Sequence, residues 1–103
     1  YEMFEQNSPV LSALKHHPAC KAFVSGSLIS GLPTSPRRFK EFCQFVLKVL
    51  PGRPTFHEEA LNAYLDRATT SRVDVVEIRR MMVDEGVLQG GAGSRIYRRV
   101  DQL

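Results

Sequence analysis

A mainly α domain that ends in a β-hairpin is the fold class this sequence predicts. Three observations predict it. Three segments repeat apolar residues at the helical period. Each is opened by residues that cap a helix, and two of the three are closed by proline or glycine. After the last helix come a short apolar run, a glycine-rich tip and a basic run, together too short for another helix and suited to a hairpin. The chain has 103 residues, which suits one domain able to fold without disulfide or metal staples. Its 43% apolar and 24% charged content is that of an ordinary globular protein.

Ser8-Pro9 starts the first element, because serine caps free N–H groups and proline at the first helical position loses no bond. A short helix over 9–16 would bury Val10, Leu11 and Leu14, and His17-Pro18 would end it. In "KAFVSGSLISGLP", Phe23-Val24 and Leu28-Ile29 flank Ser25-Gly26-Ser27, which reads as a small hairpin or an ordered loop. Gly31 and Pro33 argue against anything longer.

Ser35-Pro36 opens the strongest helix, 36–50. Its stripe of Phe39, Phe42, Cys43, Val46, Leu47 and Leu50 is widened by Phe45 and Val49, which predicts a central position, and Pro51-Gly52 stops it. Thr55-Phe56-His57-Glu58 reads as a capping box for a helix over 57–67 that carries Leu61, Tyr64, Leu65 and Ala68 on or just beyond one face. "TTSRV" is a polar connection. Asp74, with Glu77 three residues on, caps a third core helix over 74–85 whose Val75, Ile78, Met82 and Val83 face inward. Gly86 suits the positive φ of a helix stop. Val87-Leu88-Gln89 then reads as a strand, Gly90 to Ser94 as a flexible tip and Arg95 to Val100 as the return strand.

Three helices followed by a hairpin are the order of a winged helix, a variant of helix-turn-helix. The expected division is an arm over 1–34, with its short helix and small hairpin, and a winged-helix domain over 35–103.

The net charge is +3, and its distribution says more than its size. Residues 37–53 carry Arg37, Arg38, Lys40, Lys48 and Arg53 against Glu41 alone. Residues 54–94 carry four arginines against seven acids, and 95–103 carry Arg95, Arg98 and Arg99 against Asp101. Two positive blocks therefore flank an acidic middle. No apolar run approaches the roughly 18 residues a membrane span needs, and Tyr1-Glu2-Met3-Phe4-Glu5 lacks the basic region of a secretory signal. Two cysteines make no disulfide framework, and Cys43 sits in an apolar stripe where a buried free thiol is expected. A cytoplasmic location without membrane attachment is the expectation.

Catalytic and metal chemistry find little support. His16, His17 and Cys20 fall short of the four ligands of a structural zinc. His57-Glu58-Glu59 has Leu61 where a zinc protease needs its second histidine, and the glycines of the tip are followed by neither Lys-Ser nor a helix. No enzyme activity, cofactor or metal is expected.

The residues most suited to a partner are cationic. Tyr97 among Arg95, Arg98 and Arg99 mixes an aromatic ring with cations, as nucleic-acid surfaces do. The alternative is a solvated edge strand whose charge prevents sheet-to-sheet pairing. Arg79 and Arg80 on the third helix have the chemistry to read guanine or grip phosphate. That helix also carries Asp74, Glu77, Asp84 and Glu85, which a phosphate surface repels. The other reading pairs the two arginines with Glu77, Asp84 or the acids of the second helix.

The run from "FVSGSLISGLP" through "FHEEALNAYL" to "DVVEIRRMMVDEGVLQGGAGSRIYRR" resembles a small prokaryotic domain family of unknown function. That family occurs as short stand-alone proteins and as a tail on transcriptional regulators. The resemblance rests on Phe23, Gly26, Leu28 and Pro33, on Phe56, Glu59, Asn62 and Leu65, and on Asp74, Ile78, Arg79, Arg80, Met82, Val83, Asp84, Gly86, Leu88 and Tyr97. It departs at His57, where the family favours threonine, and at Gln89-Gly90, where the family has a charged pair. The resemblance implies a role in gene regulation and fixes no catalytic activity.

Two readings of function stay open. In the first, the chain is a non-enzymatic module that binds double-stranded DNA through Arg95, Arg98 and Arg99 of the wing and Arg37, Arg38 and Lys40 at the start of the first core helix, with Arg79 and Arg80 as further contacts. In the second, the acidic third helix meets a protein partner or a second copy, helped by Phe4, Val10 and Leu14 of the arm.

Overall fold

The computed structural model describes residues 8–91 and 93–100. Phe4 of the expected arm surface, Ala92 of the tip and Asp101 therefore lie outside the described residues. The described chain is a mixed helix-and-sheet domain, which corrects the expectation of a mainly α fold. Helix α1 (Pro9–Leu14) leads into a 3-10 turn (Pro18–Phe23) and the small hairpin β1 (Val24–Ser25) and β2 (Leu28–Ile29). Helix α2 (Pro36–Val49), strand β3 (Thr55–His57), helices α3 (Glu58–Ala68) and α4 (Val75–Asp84), and strands β4 (Leu88–Gly90) and β5 (Ile96–Arg99) follow.

The correction comes from Thr55-Phe56-His57. These residues pair antiparallel with β5, so the terminal hairpin becomes a three-stranded sheet ordered β3-β5-β4. Thr55 lies within a strand and does not cap a helix. Helix α3 begins at Glu58, whose N–H donates to the carbonyl of Arg95 at 2.7 Å, with His57 at the cap position and no side-chain cap. A Ser/Thr-x-x-Glu spacing matches a capping box by residue type, but Phe56 is 1% exposed and its burial holds the segment extended.

Of the other expected caps, those at Ser8 and Asp74 form and the one at Ser35 does not. The Leu11 N–H donates to Ser8 Oγ at 3.3 Å, and the Val76 N–H donates to Asp74 Oδ1 at 2.9 Å. Ser35 makes no side-chain cap, so Pro36 and the Arg38 N–H donating to the Ser35 carbonyl define the start of α2. Gly86 takes φ +82 after α4, and Gly26 takes φ +65 between β1 and β2.

Helix α2 is the central element, with Phe42, Cys43, Phe45 and Val46 fully buried. One core gathers these with Leu61 and Leu65 of α3, Ile78 and Met82 of α4, and Phe56, Leu88 and Tyr97 of the sheet. Val10 and Ala13 of α1, Cys20 and Ile29 belong to the same core, so the described part of the arm, residues 8–34, is packed into it. The Phe23 ring meets Phe42 edge-on at 5.5 Å. The polar connection after α3 is also anchored, because the Thr70 N–H donates to the Ile29 carbonyl and Thr69 Oγ1 donates to the Leu65 carbonyl, both at 2.9 Å.

Candidate nucleic-acid interface

Strand alternation sorts the hairpin side chains onto two faces. Phe56, Leu88 and Tyr97 point inward and are buried, and Arg99 shares that face half-buried. Thr55, His57, Gln89, Ile96 and Arg98 are exposed on the outer face, with Thr55, Arg98 and Gln89 in one cross-strand row. Strand β5 is the middle of the sheet, so the edge-strand reading of its charges does not hold.

The inward face carries a polar clamp. The guanidinium of half-buried Arg79 donates to Asn62 Oδ1 on α3, and its Cζ lies 5.6 Å from the centre of the Tyr97 ring. The Tyr97 hydroxyl donates to Glu58 Oε1 at 3.5 Å. The four side chains come from α3, α4 and β5 and fix the angle between helix and hairpin. Glycine is required where the tip crosses this clamp. A Cβ on Gly90 would stand 2.3 Å from the Ile96 carbonyl oxygen, and one on Gly91 would stand 3.2 Å from the Tyr97 hydroxyl.

Arg99 has an equally internal task. Its guanidinium donates to the carbonyls of Pro51 at 2.9 Å and Leu47 at 3.4 Å, so it caps the C-terminal end of α2. Of the eight arginines and lysines expected to meet DNA, Arg79 and Arg99 are thus half-buried and held by partners on other elements of the fold. For Arg79 the expected alternative, pairing with the second helix, finds the right element but an amide partner instead of an acid. The alternation of "IYRR" carried the signal for Arg99, since it stands two residues beyond the buried Tyr97.

The other six are exposed: Arg37, Arg38 and Lys40 on the first turns of α2, Arg80 on α4, Arg95 at the base of the tip and Arg98 on the outer sheet face. Arg98 is oriented by a 3.0 Å bond from its guanidinium to Gln89 Oε1. Arg80 and Phe39 line one depression of about 380 Å³, so the start of α2 lies beside α4. Glu77, Asp84 and Glu85 line the same depression and interrupt the positive charge. A second groove of about 240 Å³ runs between α4 and the tip, bordered by Val76, Arg80, Val83, Gly91 and Tyr97.

Nucleophilic chemistry is disfavoured at both cysteines. Burial pushes the Cys43 thiol up to about 12, helped by Glu85 and Asp84 against the opposing pull of Lys40. Burial likewise pushes Cys20 up to about 11, helped by Glu41 and opposed by Arg38. His17 is no plain surface histidine: its Nδ1 lies 3.7 Å from Glu41 Oε2 and its ring meets Phe45 edge-on. Among the described residues no group of three His, Cys, Asp or Glu side chains is placed to hold a metal ion. No helix among them is long and apolar enough to cross a membrane.

Fold and clamp together define a small domain in which helices α3 and α4 and a three-stranded sheet are joined by part-buried polar contacts. A comparison with protein-family models matches residues 29–99 to uncharacterized proteins conserved in bacteria, the DUF2087 family, and the chain belongs to that family. The match runs from Ile29 to Arg99 and so includes every residue of the clamp. Neither the comparison with curated proteins nor that with solved structures gave a match.

Proposed function

We propose that this domain is a non-enzymatic winged-helix module of transcriptional regulation, working in the cytoplasm alone or as a tail on a regulator, and that it binds double-stranded DNA through its wing. The observation that carries the reading is the order helix, strand, helix, helix, hairpin, with the early strand β3 added to the hairpin beside β5. That order supports a winged helix, in which α4 and the β4–β5 hairpin act as one surface. Arg95 and Arg98 of the hairpin supply phosphate contacts, Arg80 stands between hairpin and α2, and Arg37, Arg38 and Lys40 extend the contact. Arg79 and Arg99 support this surface from behind.

The test is duplex binding by fluorescence anisotropy across salt concentrations. Affinity is expected to fall steeply with salt, by about 0.9 log units per log unit of salt for each phosphate contact. Arg95→Ala with Arg98→Ala is expected to weaken binding to all sequences alike and to flatten the salt slope by roughly two contacts' worth. Absence of duplex binding at low salt overturns the proposal.

A second reading is favoured by one feature of α4. Val76 is 38% exposed beside partly exposed Val83, on a helix whose depressions include Glu77, Asp84 and Glu85. An apolar strip with acidic flanks suits a protein partner or a second copy better than phosphate. Val76→Asp separates the two readings. It is expected to abolish self-association or partner binding if α4 is the contact, and a monomeric wild-type chain by light scattering counts against the second-copy form.

A further inference from the structure

At the C-terminal end of α2, remote from Arg37, Arg38 and Lys40 at its start, lies a larger groove, of about 790 Å³. Helix α2 has 14 residues, so its two ends stand about 21 Å apart. The groove is framed by α1, the β1–β2 turn, the C-terminal end of α2 and the C-terminal half of α3. Its volume falls in the range of small-molecule sites. From the groove's chemistry we infer that it binds a small organic anion: an apolar chain or ring ended by one carboxylate or phosphate.

The floor supplies the apolar half of that specificity. Val10, Val49 and Leu50 belong to the core and also line the groove, together with half-buried Leu28. The rim supplies the charge. Lys48 and Arg67 line it with exposed side chains, and no aspartate or glutamate is among the described lining residues. Arg53 adds a third cation behind the rim, since its guanidinium donates to the hydroxyl of the lining residue Tyr64 at 3.2 Å.

A helix C-terminus would ordinarily repel an anion, because its last carbonyls carry partial negative charge. Here the guanidinium of Arg99 donates to the carbonyls of Leu47 and of the lining residue Pro51. That cation offsets the opposing dipole at the groove. Lys48 and Arg67 on the rim and Arg53 behind it thus favour a negative head group, with Arg99 offsetting the opposing dipole, and the floor favours an apolar body.

The experiment uses the full chain without DNA, so its outcome does not depend on the proposed function. Sodium decanoate, decyl phosphate and decanol are titrated below micelle-forming concentrations and followed by NMR amide shifts. An anion is expected to bind at least about tenfold tighter than decanol, with shifts at Leu28, Val49 and Tyr64. The tighter of the two anions identifies the head group. Lys48→Gln with Arg67→Gln keeps most of each side-chain stem at exposed positions, with folding verified by circular dichroism. It is expected to lose about tenfold or more in anion affinity while leaving decanol unchanged. Equal affinity for decanol, anion affinity unchanged in the double variant, or no binding of either anion at about 1 mM overturns the inference.

Discussion

Arg98 and Arg99 are neighbours in sequence with opposite surroundings, because adjacent residues of a strand point to opposite faces. Arg99→Ala removes two hydrogen bonds to carbonyls at the end of α2 and is expected to cost about 1–3 kcal/mol in denaturant unfolding. Arg98→Ala is expected to stay within about 0.5 kcal/mol, since its one partner, Gln89, is exposed. On the proposed DNA-binding reading, the reverse order is expected for duplex affinity per unit of folded protein, measured by anisotropy. The cysteines give a pH prediction. Burial favours the neutral thiol in the folded state, raising Cys20 to about 11 and Cys43 to about 12 from an unfolded value of 9.0. The folded state therefore binds protons more tightly than the unfolded one. Its stability from these groups is complete below pH 9 and is lost as pH rises from 9 towards 11 and 12. Replacing both with alanine or serine is expected to flatten the decline of Tm between pH 8 and 10, and the native thiols are expected to resist alkylation at pH 8.

Among the elements, local signals differ in what they hold. Asp74 caps α4 with a real hydrogen bond, so Asp74→Ala is expected to cost about 1 kcal/mol. Ser35→Ala at the start of α2 is expected to change little, because the serine side chain caps nothing. Denaturant midpoints of the two variants check the contrast. At the tip, Gly90→Ala forces a Cβ against the Ile96 carbonyl at φ +134 and is expected to cost roughly 2–4 kcal/mol. The periodicity of α2 and α4 was legible because helical faces repeat within the helix itself. Strand β3 was not, because "TFH" has only three residues and its partner β5 lies about forty positions later. A three-residue strand has no period to read, so the threonine-glutamate spacing suggested a cap instead.

For the molecule as a whole, the arm and the later domain share one core. Val10, Ala13, Cys20 and Ile29 pack with Phe42, Phe45 and Val46. Deleting residues 1–34 exposes that side of α2, and each large apolar side chain left uncovered costs about 1.5–3 kcal/mol of burial. The truncated chain is expected to lose its cooperative thermal transition by circular dichroism. Survival of a sharp transition near the full-length Tm would show that residues 35–103 fold alone. The whole-molecule charge pattern also has a structural consequence. The basic start of α2 lies beside the acidic depression on α4, so the exposed cations form separated groups around it.

Composition, helix positions, the caps at Ser8 and Asp74, the turn at Gly86 and the positive blocks at 37–53 and 95–103 were all determined by the sequence. These properties depend on residues within one or two turns of each other, where the backbone alone fixes the spacing. The tertiary structure decided the third strand, the packing of the arm and, above all, which arginines are available. Arg79 is held by Asn62, seventeen positions away, and Arg99 by the carbonyl of Pro51, forty-eight away. An arginine's charge is set by its chemistry, but its hydrogen-bond partner is set by which distant element packing brings within about 3 Å.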